Sequence, residues 1–410
     1  MPDTPATAKL RRIALQHQGL LSAAPFGRGL NGTLRAIEHL GYVQIDTISV
    51  VTRAHYHVLH SRVPGYRGAH LDALQARGRI FEYWWHAAAY LPMRDYRFAL
   101  PKMRAMARGE DRWIRSRDRQ LMRRVLERVR ADGPLQARDF EAPAGASGGW
   151  WAWKPAKQAL EQLFMEGELM VAGRRGFQKV YDLAERVLPG DVDTREPALD
   201  EIASHLIERT LSSHGFTSLG EIVYLRRSPA LREAVRAGLD EAVRAGALTA
   251  FSVPGATERL YARPDVLARR AAQAPARARV LSPFDNAVIQ RRRVRTLFDF
   301  DYQLECYLPD GKRRFGYFCL PLQFRDHFLG RADCKAHRER AQLEIKRLFV
   351  EDQTPLRQEP DRLLPALADA LTRFARFNGC TSVTLDEVHP AFARVPIRRA
   401  LAQHIPEEET

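Results

Sequence analysis

The sequence predicts an α+β fold in which a helix–helix–hairpin unit is repeated and short strands become frequent toward the C-terminus. In residues 133–183, a turn with a short helix, a longer helix and two strands around a Gly-Arg-Arg-Gly turn follow one another. Residues 199–260 repeat this order, with helical patterns before a hairpin. Helix, helix, hairpin is the order of a winged helix, so two tandem units are expected. Short strands alternate with turns in residues 280–329, which sets the C-terminal part apart from these units.

The N-terminal segment is a candidate for a third unit of this kind. Amphipathic helical patterns cover residues 6–21 and 30–40, because apolar side chains recur there on one stripe. The aromatic run over residues 82–91 predicts a buried strand or a short helix. Residues 94–130 predict charged helix with a strongly basic face.

The C-terminal part follows a predicted linker at residues 268–275. Both a small β-barrel and an open sheet are compatible with the strands expected there, and a final helix and an acidic tail at residues 405–410 end the chain. The strands are predicted at residues 296–300, 302–308 and 314–320, with a hairpin turn at 309–311 and the final helix at 361–377. The expected domains are residues 1–110, 111–190, 191–270 and 271–410.

Composition limits the class of protein. At 410 residues, with 45% apolar and 28% charged residues, the chain has the make-up of a folded soluble protein. The four cysteines are scattered without metal-ligand spacing, which indicates a reducing compartment and no structural zinc. The sequence shows no signal pattern and no apolar run of membrane-spanning length. A cytoplasmic, nucleoid-associated protein without a membrane partner is therefore expected.

The net charge of +15 points to a polyanionic partner. Only eight of the 64 basic residues are lysine, and the guanidinium group of arginine suits phosphate binding and base stacking. A GC-rich genome also raises the arginine content, and a basic average need not form a patch. Basic residues cluster at 174–175, 291–293 and 312–314, and the first and last of these clusters lie beside glycine or an aromatic residue, which favours nucleic-acid binding.

The segment Gly41-Tyr-Val-Gln-Ile-Asp-Thr-Ile48 carries the candidate catalytic residues. If it is a strand, Gln44 and Asp46 point to the same face, about 6–7 Å apart. An amide and a carboxylate so placed are able to hold and polarise one water molecule. The competing interpretations are a solvated edge strand or an aspartate that caps the next turn.

Basic residues distributed along the chain are candidate DNA contacts. His86 is more typical of a core or wall position, and His55, His57 and His60 do not have the spacing of a metal triad on one helical face, so no metal is expected. The candidate contacts are Arg53, Arg62, His86, Lys154, Lys157, Arg174, Arg175, Arg291, Arg292, Lys312, Arg313 and Arg314.

Five collinear blocks resemble one known family. They are Gln44–Ile48, Tyr56–Tyr66, Glu82–His86, Ser282–Asn286 and Gly330–Asp333. Together they closely resemble the bacterial winged-helix DNA glycosylases of the YcaQ type, the sister group of the AlkZ-type enzymes that unhook crosslinks in antibiotic producers. AlkZ-type members carry a second Gln where this chain has Asp46, so the YcaQ-like subgroup is indicated.

The resemblance implies three tandem winged helices and a C-terminal β-barrel that grip double-stranded DNA. It also implies cleavage of the N-glycosidic bond of alkylated purines, including crosslinked N7-alkylguanine, without metal or organic cofactor. Separately, general chemistry shows why one carboxylate is enough: N7 alkylation leaves the base cationic and ready to depart. Asp46 is expected to activate the water molecule that Gln44 positions. A monofunctional glycosylase is expected, since no lysine that could form a Schiff base lies near the motif. A monomer fits such an enzyme. The alternatives are a winged-helix transcription regulator and a noncatalytic DNA-damage scaffold.

Overall fold

The computed structural model describes residues 5–110, 118–140, 153–253 and 255–404, and the side chains of all of these except 5, 6, 153 and 154. Two compact units divide the chain. Unit 1 combines Met1–Arg67 with Ala203–Thr410, and unit 2 is Gly68–Ile202. The Gly/Ser/Ala-rich residues 142–149, for which the sequence predicts a loop, and the predicted acidic tail at 405–410 lie outside the described residues. None of the helices in the described ranges is long and apolar enough to cross a membrane.

The secondary structure is mixed. The helices are α1 Pro5–His17, α2 Gly29–Leu40, α3 Ala54–His60, α4 Ala69–Ala76, α5 Leu100–Arg108, α6 Arg119–Asp132, α7 Trp153–Glu166, α8 Ala184–Val187, α9 Leu199–His214, α10 Leu219–Ile222, α11 Pro229–Arg244, α12 Pro264–Ala268, α13 Arg291–Phe298, α14 Thr354–Gln358, α15 Pro360–Phe377 and α16 Arg394–Gln403. The strands are β1 Val43–Gln44, β2 Ile80–Trp84, β3 Ala88–Pro92, β4 Leu169–Arg175, β5 Gln178–Leu183, β6 Phe216–Ser218, β7 Thr249–Phe251, β8 Leu260–Ala262, β9 Ala278–Val280, β10 Cys319–Phe324, β11 His327–His337, β12 Gln342–Val350 and β13 Ser382–His389.

Unit 2 contains the predicted helix and hairpin of residues 154–183. The helix α7 precedes the antiparallel pair β4–β5, as the sequence predicts. Inside the unit, Tyr83 Oη donates a hydrogen bond to the Met165 carbonyl at 2.7 Å, and Gln75 Nε2 donates one to the Val171 carbonyl at 2.7 Å. The aromatic run at 82–91 lies in the β2–β3 hairpin, so the prediction of a buried strand, and not that of a short helix, is confirmed.

The second predicted repeat lies mostly in unit 1. The helices α9, α10 and α11 occur with a three-stranded sheet of order β6-β8-β7, in which β6 lies between α9 and α10 and the other two strands follow α11. Ser218 caps α10 in a capping box with Glu221, so the predicted short helix has a clear start. The predicted hairpin of residues 248–260 is confirmed, since β7 and β8 pair antiparallel.

The C-terminal strands form an open five-stranded sheet with the order β13-β12-β11-β10-β9, and no closed barrel occurs in the described ranges. All pairs are antiparallel except β12–β13, which is parallel. The helices α15 and α16 contact this sheet, and their buried apolar side chains, such as Leu367, Leu371 and Ile397, share its core. The barrel alternative of the sequence prediction is therefore wrong and the open sheet is correct.

Several predicted C-terminal elements are also wrong. The strand expected at 296–300 falls on α13 and the residues after it, because Val294 and Leu297 are buried at helical spacing. Short 3₁₀ turns occupy Glu305–Tyr307 and Asp310–Lys312, where a strand and a hairpin turn were expected. The helix α15 matches the predicted helix but is not the last one, since α16 follows.

Candidate active site

The motif segment begins where α2 ends. Gly41 has φ 80°, a left-handed conformation, and its N–H caps the helix on the Ile37 carbonyl. A side chain at Gly41 would also collide with Arg209. This turn places Val43 and Ile45 in the core of unit 1 and Gln44 in a buried position.

The strand in the motif is shorter than predicted, and it ends at Gln44. Asp46 therefore does not share a strand face with Gln44. Its Oδ1 accepts a hydrogen bond from the Ile48 N–H at 2.7 Å, two residues on, which is the geometry of an Asx turn. The turn-capping interpretation of Asp46 is thus correct for its conformation, and this cap fixes the direction of the carboxylate.

Asp46 is half-buried, and it makes no ion pair with any residue that the structure describes. Burial raises the pKa of its carboxyl above the ordinary value of 3.8, while hydrogen bonds from the backbone of Ile48 and Thr47 lower it in part. The other described acids with shifted pKa values are all lowered, chiefly by hydrogen bonds; they are Glu110, Asp193, Glu201 and Glu344. Burial of Asp46 therefore opposes its charge.

The Ser282–Asn286 block contacts the segment that precedes Gln44. Asp285 is fully buried and accepts two hydrogen bonds of 2.7 Å from the guanidinium of Arg62, which is also fully buried. Its neighbour Asn286 donates from Nδ2 to the Tyr42 carbonyl at 3.1 Å. This block thus fixes the backbone just before Gln44.

The segment after Asp46 is held by other elements of unit 1. The Val50 carbonyl accepts a hydrogen bond from the Ala336 N–H at 2.9 Å, and the Thr52 N–H donates to Asn378 Oδ1 at 2.6 Å. Arg338 Nη1 donates to the Ser49 carbonyl at 3.3 Å. The chain on both sides of Asp46 is therefore anchored.

A loop between α13 and β10 lies within electrostatic range of Asp46. The charge of Asp46 contributes to raising the pKa values of Cys306 and Tyr307, although burial is the larger cause for both. The side chain of Tyr307 is 71% exposed. The loop is fixed by Glu305, a buried carboxylate that accepts the backbone N–H groups of residues 314–316.

The Gly330–Asp333 block fixes the end of the same loop. The Asp333 carboxylate accepts N–H groups of Tyr317 at 3.2 Å and Phe318 at 2.9 Å. Arg331 is buried, pairs with Glu351 through two hydrogen bonds of 2.7 and 2.9 Å, and its guanidinium lies 3.8 Å from the Phe315 ring centroid. The Arg331 and Asp333 side chains of this block therefore stabilise the fold.

Four of the predicted DNA contacts make ion pairs or hydrogen bonds within the protein, so they are not free surface cations in this structure. Arg62 is enclosed by Asp285 and backbone carbonyls, and Arg174 pairs with Glu82 at 2.7 Å. Arg291 donates to two backbone carbonyls at 2.7 Å, and Arg313 binds Asp310 and the Leu308 carbonyl within its own loop. Their clustering in sequence did not reveal these partners.

The remaining predicted contacts stay untested. Arg53 precedes α3 and is half-buried, and His86 lies half-buried in the β2–β3 turn. Exposed positions are Lys157, Arg175, Arg292, Lys312 and Arg314. The side chain of Lys154 lies outside those that the structure describes.

The histidines of α3 are structural. His57 Nε2 lies 2.9 Å from the Val280 carbonyl, and burial lowers the pKa of His57 to about 4. His60 stacks on Phe377 at 3.8 Å. The described part of the chain holds no group of three or more His, Cys, Asp or Glu residues arranged for a metal ion.

Sequence reasoning missed Glu305 and Asn378, which organise the loop and the segment next to Asp46. Nothing in their local sequence marks them, because each acts on backbone groups distant in the chain. Tyr307 was missed as well; its place among polar loop residues is a weak signal by itself.

Comparisons with known proteins agree on one family. A family model described as DNA glycosylase AlkZ-like matches residues 37–377. Among solved structures, the chain is similar to the DNA glycosylase AlkZ of Streptomyces sahachiroi, with 15% identity, a TM-score of 0.58, and coverage of 95% of this chain and 100% of that chain. At this identity the structural likeness supports the mixed α+β fold.

Proposed function

The chain belongs to the AlkZ-like DNA glycosylase family, and from this premise we propose that it excises N7-alkylguanine, including crosslinked guanine, from double-stranded DNA. The family makes it a DNA-repair enzyme that acts on DNA. The observation that carries the finer proposal is Asp46, a half-buried carboxylate at an anchored turn that makes no ion pair with a cation among the described residues.

Such a carboxylate suits a reaction that develops positive charge. As the N-glycosidic bond of an N7-alkylated purine breaks, the base leaves neutral and the sugar becomes oxocarbenium-like. A neighbouring cation would neutralise Asp46 and weaken its effect on that sugar. Asp46 stabilises the positive sugar and accepts the proton of the attacking water molecule.

Gln44 is the residue that we assign to water positioning. It is 8% exposed, so its amide is held by packing instead of moving in solvent. An amide both donates and accepts, which allows it to orient a water molecule that Asp46 deprotonates. Because the two side chains do not share a strand face, the water molecule is oriented across the turn.

The remaining elements of the proposal concern the DNA and the assembly. Three winged-helix units are proposed to grip the duplex, with exposed cations such as Lys157, Arg175, Arg292, Lys312 and Arg314 against phosphates. We assign a monofunctional reaction, a monomer, nucleoid association and no cofactor. A regulator with the same basic surface is the second candidate, but it has no use for a carboxylate placed in the DNA cleft.

The test uses matched duplexes that carry one N7-methylguanine, one uracil or one 8-oxoguanine, with enzyme in excess and abasic sites scored by alkaline cleavage. Rapid release of N7-methylguanine and slow release of the neutral bases is the expected result, because only the cationic base leaves without a general acid. Duplex binding without excision would favour the regulator. Efficient uracil release would contradict the single-carboxylate mechanism.

A crosslinked duplex extends this test. An N7-guanine interstrand crosslink should be converted into separable strands, one carrying an abasic site. Excision of the monoadduct with an intact crosslink would restrict the proposed substrate to monoadducts.

A further inference from the structure

A small cleft in unit 1 is lined by several arginines, and neither Asp46 nor the loop near it contributes to its lining. It has a volume of about 80 Å³, enough for several water molecules or one group of that size. Residues from α3, β9 and α15 line it, and three of its side chains are the guanidinium groups of Arg277, Arg279 and Arg373. His60 and Phe374 also line the cleft and are uncharged. His60 is neutral at neutral pH because burial lowers its pKa to about 3.

The three arginines differ in the number of hydrogen bonds and ion pairs that they make with the described residues. Arg279 donates to the carbonyls of Leu20 at 2.9 Å, Ser61 at 3.2 Å and Ser22 at 2.6 Å, which satisfies its N–H groups but leaves its charge. Arg277 makes no side-chain hydrogen bond or ion pair with the residues that the structure describes.

The Arg373 guanidinium has a partner for one of its nitrogens but not for another. Its Nη2 pairs with Asp369 at 2.8 Å, while its buried Nε has no acceptor among the described residues. A buried N–H without an acceptor costs about 1–3 kcal/mol. The cleft therefore offers an unused donor as well as charge.

The acids near the cleft do not balance these cations. Asp369 already pairs with Arg373, and Asp285 already pairs with the buried Arg62. Burial, together with the neighbouring guanidinium of Arg277, lowers the pKa of Arg279 to about 9. Arg277 itself has a lowered pKa, first through burial and then through Arg373. Such mutual repulsion is what a bound anion relieves.

We propose that this cleft binds a phosphate group, either a phosphodiester of the DNA backbone or a free phosphate ion. A tetrahedral anion accepts hydrogen bonds in several directions at once, which fits a cleft whose lining includes arginines from the β9 segment and from α15. A planar carboxylate offers fewer directions. Phosphate is also the anion that a DNA-binding chain meets most often.

The first experiment measures binding of inorganic phosphate to the full-length chain by calorimetry, with acetate as the competing anion. The double variant Arg277→Gln/Arg373→Gln should bind phosphate about tenfold more weakly than wild type, and Arg277→Gln alone should lower the affinity severalfold. The single variant guards against misfolding, because the Arg277 side chain makes no hydrogen bond or ion pair with the described residues. The matched control is Arg270→Gln/Arg376→Gln, which removes two exposed arginines and should bind as wild type does.

The second experiment measures the affinity of an undamaged duplex as a function of salt. If the cleft holds a DNA phosphodiester, the double variant should lower the slope of log affinity against log salt by about one, and the control should lower it less. Phosphate binding with an unchanged duplex slope assigns the cleft to a free phosphate ion. No phosphate binding together with an unchanged slope, or equal binding of acetate, would overturn the proposal. Neither experiment depends on excision, so failure here leaves the proposed glycosylase reaction untouched.

Discussion

Asp285 and Asp46 lie in the same unit, and their surroundings are opposite. Asp285 is fully buried and bonded to the Arg62 guanidinium at two 2.7 Å distances, so its charge is matched. Asp46 is half-buried, and its partners among the described residues are N–H groups of its own turn. A matched carboxylate maintains the fold, whereas an unmatched one remains available to a cation that forms during a reaction.

The same contrast separates the arginines of the chain. Arg62 and Arg331 are both 1% exposed and bind acids inside unit 1. Arg123 and Arg124 on α6 of unit 2 are exposed. Residue type and clustering therefore do not show which arginines have an acid partner inside the protein.

Removing one side of the matched pair should have the largest effect on stability. Arg62→Ala leaves Asp285 charged, buried and unpaired, and should lower the free energy of unfolding by about 3–5 kcal/mol in urea titrations. Arg270→Ala, an exposed control, should change it by no more than about 0.5 kcal/mol.

A double variant sharpens that prediction. Arg62→Met with Asp285→Leu replaces the pair by apolar side chains and should cost less than Arg62→Ala alone, because no buried charge remains. If Arg62→Ala costs as little as the exposed control, the pair does not anchor the motif.

Gln44→Ala should slow excision of N7-methylguanine by about tenfold under single-turnover conditions, because other groups hold the water molecule less well. Binding of the lesion duplex should stay within about twofold, since Gln44 carries no charge. A loss confined to binding would make Gln44 a substrate contact instead of a water-positioning residue.

Charge reversal in the loop near Asp46 should have a smaller effect. Lys312→Glu with Arg314→Glu should weaken binding of every duplex severalfold and lower the salt dependence, since both side chains are exposed. Arg313 is left intact because it holds the loop. Arg269→Glu with Arg270→Glu is the matched reversal elsewhere in unit 1, and an equal effect of both pairs would remove the loop from the DNA surface.

The smallest expected effect is a shift in pH dependence. Burial raises the pKa of Asp46, so its carboxylate protonates at higher pH than an ordinary aspartate does. Excision needs the ionised form, so the rate should be full above that pKa and fall as pH falls through it, with the acid limb above 3.8. An acid limb at or below the ordinary value in single-turnover rates would contradict the burial argument.

Local patterns predicted the local elements well. The helix α7 and the β4–β5 hairpin follow from hydrophobic periodicity and a glycine-bounded turn. The open sheet could not be derived in this way, since β12 pairs in parallel with β13 about 40 residues later. The strand predicted at 296–300 is wrong because aromatic and branched residues there suggested a strand where helical spacing prevails.

In the candidate site too, the sequence indicated the local residues but not their distant partners. Alternating residues identified Gln44 and Asp46, but alternation alone did not reveal that a side-chain cap ends the strand at Gln44. The role of Arg62 depends on Asp285, which lies 223 residues later in the chain. Partners at such separation become visible only in the folded structure.

The central claim is that the unmatched charge of Asp46 performs the reaction, and Asp46→Asn tests it most directly. Asparagine retains an oxygen for the Ile48 N–H, and the raised pKa means that ionised Asp46 opposes folding at neutral pH, so the variant should be at least as stable as wild type. Single-turnover excision of N7-methylguanine should fall by about 100-fold or more, with lesion-duplex binding unchanged or slightly tighter. Near wild-type excision by a folded Asp46→Asn protein would contradict the claim.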